Sequence, residues 1–389
     1  MKKLAPLLAL ALFCLSCDAP FDLSLSQAAA VISKMTLQQT IALLSTLDGD
    51  QENLDIVFLP EKKGASPGID FQNGFLLLRG TYRTILRYVR FDSATSSYQV
   101  FGGWDQELVN PDPNYQPFVF EPLKFPSLAD STVGLVGLDP VDPGNSSVQL
   151  LNANIPSTSL TSGGWLNLRN DFINLIGPGS LYDANVLGFS IYPTDTTQPF
   201  DSSYWLVRMN DPPIDAGKLR EVTMNINAGG MFNKNDTKSG SVPFDIPELA
   251  GVKRCHYFYD PIRGATLDDK RSYVSWFDTA AGSWRCVRWN GAGFTDSKVL
   301  PGITHRIDAL LTTGRLFSME GNVGRVYDSG GTEIASFPLG ALRFVGERYV
   351  DGQPLALFSL ARIVTDRSSE SLAIDLYSIP AADLESLGK

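Results

Sequence analysis

The chain has 389 residues, enough for a large buried core, and its composition (43% hydrophobic, 11% aromatic, 19% charged) is that of a folded globular protein rather than a disordered one. A formal charge of −10, with no run of Lys or Arg to offset it, makes nucleic acid an unsuitable partner, because such a surface repels a phosphate backbone. Beyond the first residues, no apolar stretch reaches the roughly 18 residues that a membrane-crossing helix requires.

The N-terminus carries Lys2 and Lys3, an apolar run from Leu4 to Leu15, then Ser16 and Cys17. These are the charged, apolar and small-residue parts of an export signal, and the apolar part is too short to span a bilayer. Because it ends on a cysteine, the segment resembles a bacterial lipoprotein signal of the spirochete-like kind. The resemblance implies that residues 1–16 are removed and that Cys17 carries the lipid, palmitate included. It places the body in the cell envelope, on the periplasmic face or the cell surface, at the inner or the outer membrane. The other reading is an ordinary cleaved signal, for which an Ala-x-Ala-like site is missing. Loss of Lys2 and Lys3 leaves the body still more acidic, so attachment to anionic lipid rests on the acyl chains.

After a polar tether at 17–25, residues 26–49 read as a helical segment. Thr36 followed by Gln39 has capping-box spacing, Ile41, Leu44 and Leu47 recur on one face, and Gly49 stands where a helix stops. From Leu54 onward the chain reads as β, in short runs rich in Val, Ile, Leu, Phe and Tyr separated by Gly, Pro, Asp, Asn and Ser clusters. Phe75-Leu76-Leu77-Leu78 and Leu355-Ala356-Leu357-Phe358 are apolar on both faces, which calls for stacked sheets covered on both sides.

A weak repeat runs through this region: Arg90-Phe91-Asp92-Ser93, Trp276-Phe277-Asp278-Thr279 and Val326-Tyr327-Asp328-Ser329 each place an Asp-led turn between strands. The second and third of these Asp residues lie 50 positions apart, which looks like the blade of a β-propeller. The fold class expected is therefore all-β, a propeller of about seven four-stranded blades over 54–380, with six to eight accepted. The last blade would be closed by Asp55–Leu59. Residues 106–250, dense in turn dipeptides, are either degenerate blades or an irregular domain, and a two-domain β-sandwich is the alternative to the whole.

Chemistry is sparse in the sequence. Of the two histidines, His256 sits in a strand between Cys255 and Tyr257, and His305 in a loop. Adjacent strand residues face opposite ways, so Cys255, His256 and Cys286 do not make a zinc site, and they read as structural neighbours. Cys255 and Cys286 are either a disulfide or two buried thiols. A strand between theirs sets them about 9.5 Å apart, beyond the reach of a bridge, and favours thiols. The acidic spots at Asp48-Gly49-Asp50 with Glu52, Asp260 and Asp268-Asp269 read as solvated turns, and the first lacks the Gly and Glu of a calcium loop.

No Gly-x-Ser-x-Gly elbow and no phosphate-cradling loop is present, and no cofactor is called for. Trp276, Trp284 and Trp289 read as core, whereas Trp104 and Trp165, each after a Gly-Gly pair, are candidate exposed binding aromatics. The function expected is an envelope interaction module working through propeller loops on an envelope or host protein. The alternative is an envelope enzyme, a glycan or peptide hydrolase or lyase, with its site in the propeller mouth. An enzyme requires several acidic residues converging in one funnel with an aromatic floor, and a binder scattered charges with exposed apolar or aromatic loop tips, around Trp104 or in 106–165.

Overall fold

The structure is a computed structural model and describes residues 28–43, the strands between 55 and 238 with residues 94, 217 and 218, and then 244–252, 255–260, 271–290, 297–350, 353–366 and 369–389. Among these residues the fold is almost wholly β, built from antiparallel meanders of four strand positions. No helix among them is long and apolar enough to cross a membrane.

A helical turn at 28–32 leads into β1 (Thr36–Leu43). The first meander is β2 (Asp55–Lys63), β3 (Gly68–Arg79) and β4 (Arg83–Asp92), with β5 (Ser97–Val100) and β6 (Gln106–Val109) pairing to successive halves of β4 as one interrupted outer strand. The second is β7 (Phe118–Lys124), β8 (Ser131–Gly137), β9 (Ser147–Asn154) and β10 (Ser159–Asn167). The third is β11 (Ala184–Ile191), β12 (Ser202–Met209), β13 (Leu219–Ile226) and β14 (Phe232–Lys238). The fourth is β15 (His256–Asp260), β16 (Arg271–Asp278), β17 (Ser283–Asn290) and β18 (Lys298–Val299). The fifth is β19 (Ala309–Leu310), β20 (Leu316–Ser318), β21 (Val323–Tyr327) and β22 (Glu333–Pro338). The sixth is β23 (Arg343–Val350), β24 (Gln353–Asp366) and β25 (Ser369–Pro380), and it takes its fourth strand from the other end of the chain: β1 pairs antiparallel with β25, Thr36 opposite Ser378 and Leu43 opposite Leu372, and a parallel pairing of Leu43 with Tyr98 of β5 joins the first and sixth meanders into one nine-stranded sheet.

This corrects two expectations. Residues 36–43 are a strand and not part of a helix, and they, not Asp55–Leu59, supply the last strand of the final sheet. Asp55–Leu59 instead opens the first sheet, where β2 lies beside β7 and β23. The physical reason lies in side-chain partners: Gln38, at a register shift in β1, donates from Nε2 to Ser378 Oγ (2.7 Å), and Thr40 Oγ1 donates to Asp375 Oδ1 (2.7 Å). Asp375 is buried and takes Arg362 Nε on Oδ2 at 2.7 Å and Arg362 Nη2 on Oδ1 at 3.3 Å, so Thr40 adds the third and shorter bond to Oδ1 only when β1 is in place. Residues 106–250, expected as degenerate blades or an irregular domain, hold β6 and the second and third meanders.

The Asp-led turns form as expected. Asp278 Oδ1 accepts from the amides of Ala280 and Ala281, and Asp328 Oδ1 from those of Gly330 and Thr332. However, Asp278 closes the β16–β17 hairpin and Asp328 the β21–β22 hairpin, so the motif marks turn chemistry and not a constant phase within the sheets.

The apolar cores lie between successive sheets. Phe317 anchors one between the fifth and sixth, with its ring 4.7 Å from that of Phe344 and 6.2 Å from that of Phe358. Ala28 and Val31 from the N-terminal turn, and Leu384 and Leu387 from the C-terminal one, insert into the same cluster. Between the third and fourth sheets, Cys255 N donates to Leu187 O, and Gly188 permits the approach, since a Cβ there would stand 2.7 Å from Cys255 O. Val31→Asp, which buries an unpaired charge in the cluster, is expected to lower stability by about 3 kcal/mol, whereas Ala30→Asp on the exposed side of the same turn changes it by under about 0.5 kcal/mol. Urea unfolding of the two variants checks this.

Candidate functional site

In a meander, the start of the first strand and the hairpin joining the second to the third lie at one end of the sheet. In the fourth sheet that end carries His256 and the β16–β17 hairpin. In the fifth it carries Arg306–Asp308, just before β19, and the β20–β21 hairpin.

Side chains alternate faces along each strand. Cys255, Tyr257, Val274, Trp276, Val287 and Trp289 turn toward the third sheet and its apolar cluster. The intervening residues His256, Tyr273, Ser275, Phe277, Trp284 and Cys286 therefore turn toward the fifth, where Tyr273 and Cys286 pack with Leu316 and Tyr327. Beyond that contact, at the sheet end, the indole of Trp284 meets the His256 ring at 5.5 Å and the Phe277 ring at 5.8 Å, both edge-on. Phe277 keeps 50% of its surface exposed. These three rings form one wall of a notch between the sheets.

The fifth sheet supplies the facing wall. Glu320 Oε1 accepts from Trp284 Nε1 (3.1 Å), and its Oε2 accepts from the Arg306 amide (2.9 Å). Arg306 Nε donates to Asp308 Oδ1 and the Met319 amide to Oδ2, both at 2.7 Å. Glu320 reaches this position because the hairpin turns sharply through Gly321 (φ 68°) and Asn322 (φ 59°), successive left-handed residues of the kind a tight two-residue hairpin needs.

Electrostatics at the notch follow burial. The His256 imidazole is held down to about 3, first by burial and then by the Arg306 cation, so it is neutral near pH 7. The Asp308 carboxyl is pushed above the usual range by burial, against the opposing pull of Arg306 and the Met319 amide. A further buried carboxyl, Glu221 of β13, joins the third and fourth sheets by accepting from Tyr257 Oη and Ser272 Oγ (2.7 Å each), and burial raises it too. Ser272 is the second residue of β16, at the end of the fourth sheet opposite the β16–β17 hairpin.

Of the residues singled out in the sequence, Cys17 and Trp104 lie outside the described residues, as do Asp48, Asp50, Glu52, Asp268 and Asp269. Trp165 lies in β10 opposite Gln149, and its side chain is outside the description. Cys255 and Cys286 are free buried thiols on opposite faces of one sheet, which is a stronger bar to a bridge than strand spacing, and burial pushes both thiols up. Trp276 and Trp289 are core, as expected, whereas Trp284 is half-buried at the notch. His305 Nδ1 lies 3.1 Å from Tyr327 Oη. Sequence reasoning missed Phe277, Arg306, Asp308 and Glu320. The alternation that buries Trp276 already places Phe277 on the other face, and that signal was available. Among the described residues, no group of three His, Cys, Asp or Glu side chains is placed to hold a metal.

No protein-family profile matches the chain, and no curated protein matches it by sequence. Among solved structures it is similar to a GH43 endo-arabinanase from Bacillus licheniformis (12% identity, covering 84% of this chain and 95% of that one, TM-score 0.29). It is also similar to the GH93 α-L-arabinofuranosidase of Fusarium graminearum in complex with arabinobiose (9%, 90% and 99%, TM-score 0.39). A third is the Penicillium chrysogenum α-L-arabinanase (11%, 85% and 99%, TM-score 0.37). At these identities and TM-scores the likeness names no substrate or catalytic residue for this chain. These three proteins are named as arabinan-cleaving enzymes, which is a statement about them and not about this chain. Asp308 and Glu320 gather beside aromatic rings at one end of the sheets, where Phe277 is exposed. The interaction-module reading is withdrawn.

The pH dependence of stability follows from His256. The unfolded chain binds a proton near 6.5 that the folded protein refuses until about 3, so the unfolded state gains protons first and stability falls as pH drops through that window. His256→Gln is expected to flatten the loss of melting temperature between pH 6.5 and 3, and an unchanged slope would show that the ring is not held neutral.

Proposed function

We propose that this chain is a six-bladed β-propeller, exported and anchored through a lipid on Cys17, that cleaves a glycan at the notch of Phe277, Trp284, Asp308 and Glu320. The propeller reading is supported by six successive meanders whose first strands begin at Asp55, Phe118, Ala184, His256, Ala309 and Arg343. It is also supported by contacts between first strands: β2 lies beside β7 and β23, and β15 beside β11 and β19. The strand exchange between β1 and β25 would join the ends of the ring. These starts lie on average farther apart than the spacing that suggested seven blades, which is why six replace seven. Lipid anchoring is supported by Lys2, Lys3, the run to Leu15 and Cys17.

The observation that carries the enzymatic reading is the meeting of an aromatic cluster and two carboxyl groups at one end of the sheets, with Glu320 hydrogen-bonded to Trp284. Sugar rings lay their C–H faces on aromatic rings, and glycosidic cleavage commonly uses a pair of carboxyl groups, one protonated and one ionised. Asp308, whose protonated form burial favours, takes the role of acid. Glu320, which accepts from the Trp284 indole and the Arg306 amide, is the second carboxyl group of the pair.

Purified protein incubated with linear arabinan, xylan and β-glucans is expected to release reducing ends. Asp308→Asn is expected to lower the rate by about a hundredfold or more while the chain remains folded by circular dichroism. No release from any of these glycans, or an undiminished rate in the variant, would overturn the assignment. Intact-mass measurement of the natively expressed protein is expected to show a chain beginning at Cys17 with acyl additions, and a Cys17→Ala form should appear in the soluble fraction. A native chain that begins elsewhere or carries no lipid contradicts the anchor.

A further inference from the structure

We infer that the anchored protein turns the notch end of its sheets away from the membrane, so that the site serves a glycan arriving from the aqueous side and not the headgroup of a glycolipid in the anchoring leaflet. The inference rests on the lipid anchor and the glycan site proposed above and adds their relative placement.

Strand directions give that placement. β23 starts level with the notch: Phe344 N donates to Met319 Sδ at 3.0 Å and Arg343 Nη1 to Asn322 Oδ1 at 3.3 Å, and Met319 and Asn322 lie on either side of Glu320 in the chain. The strand then runs to the other end of the sheets, where Glu347 accepts from the amide and the hydroxyl of Thr312, in the β19–β20 hairpin, at 2.6 Å each. β24 returns antiparallel and β25 runs out again, so Pro380 ends β25 at the end far from the notch. β1 is antiparallel to β25, and it therefore begins at Thr36 at that far end and runs toward the notch end, reaching it at Leu43.

The contacts of the N-terminal segment agree. Lys34 Nζ donates to Ser386 O at 2.9 Å, and the adjacent Glu385 pairs through Oε1 with Arg315 Nε at 2.9 Å. Arg315 immediately precedes β20, at the same far end as Thr312. The chain coming from Cys17 thus enters β1 at the end opposite Phe277, Trp284 and Glu320. Length then limits what the tether can do. Eleven residues separate Cys17 from Ala28, and a chain of that length reaches no more than about 38 Å even when fully extended. Laying the notch on the bilayer would spend about 26 Å of that reach running beside a strand of the eight residues of β1. With the far end toward the bilayer, no such detour is required.

The test is energy transfer to acceptor-labelled lipids in vesicles that carry the natively lipidated full chain, with a donor dye on one introduced cysteine. Ala281→Cys places the dye on the β16–β17 hairpin, at the notch end, and Thr313→Cys places it on the β19–β20 hairpin, at the far end. Both positions are exposed, whereas the native thiols of Cys255 and Cys286 are buried, and the wild-type chain is the labelling control. The two dyes differ by about 20 Å along the strand direction, so transfer from the Thr313→Cys chain is expected to exceed that from the Ala281→Cys chain about twofold. Equal transfer, or stronger transfer from Ala281→Cys, overturns the inference and leaves the anchor standing. A chain whose intact mass shows no lipid and that does not float with the vesicles removes the anchor and the inference together.

Discussion

The pairing of β1 with β25 is the constraint on which the rest of the structure depends. It joins residues more than 300 positions apart, Thr36 to Ser378, so it forms against the entropy of closing a long loop. Without it, β25 would present an unpaired edge, and the buried Asp375 would lose the hydrogen bond from Thr40 and keep only Arg362. The same segment carries Ala28 and Val31 into the cluster between the fifth and sixth sheets, beside Leu384 and Leu387. Both ends of the described chain thus fasten the same pair of sheets.

Between sheets, the contacts follow one scheme. Among the described residues, apolar side chains fill the middle of the interfaces from the third sheet to the sixth, and carboxyl groups sit toward the ends, where donors from the neighbouring sheet reach them. Glu221 does this between the third and fourth sheets, and Glu320 between the fourth and fifth. Charges placed this way contribute little net stability, because desolvation offsets much of their attraction, but they fix the register of one sheet on the next. At the notch, the groups that fix register are also those within reach of a ligand. Structure and chemistry are therefore coupled there, and changes to Glu320 are expected to disturb both.

Much of the fold was legible in the sequence because its signals are local. The strands around Tyr273, Trp284 and Glu333, the both-faces-buried run at Leu355–Phe358, and the capping of turn amides by Asp278 and Asp328 all follow from residue type and spacing. What failed depended on distant partners. Thr36–Leu43 has a helical capping pattern and only a weak strand pattern, and β25 decides its conformation. The Asp turns gave a false period because they fall in different hairpins of their sheets. The notch was not legible: Asp308 and Glu320 lie in a loop and a hairpin turn, and only the stacking of two sheets brings Trp284 and Arg306 onto the same carboxylate. The alternation along β16 could have exposed Phe277, but no local pattern gives the facing wall.

Native-state hydrogen exchange of the β1 amides tests the central claim most directly. If β1 closes the sixth sheet, amides of Thr36–Leu43 that point to β25 exchange with the same opening free energy as those of β25 itself, because the two strands separate only together. Rapid exchange across 36–43, with β25 still protected, would contradict the account and show that the body holds together without its N-terminal strand.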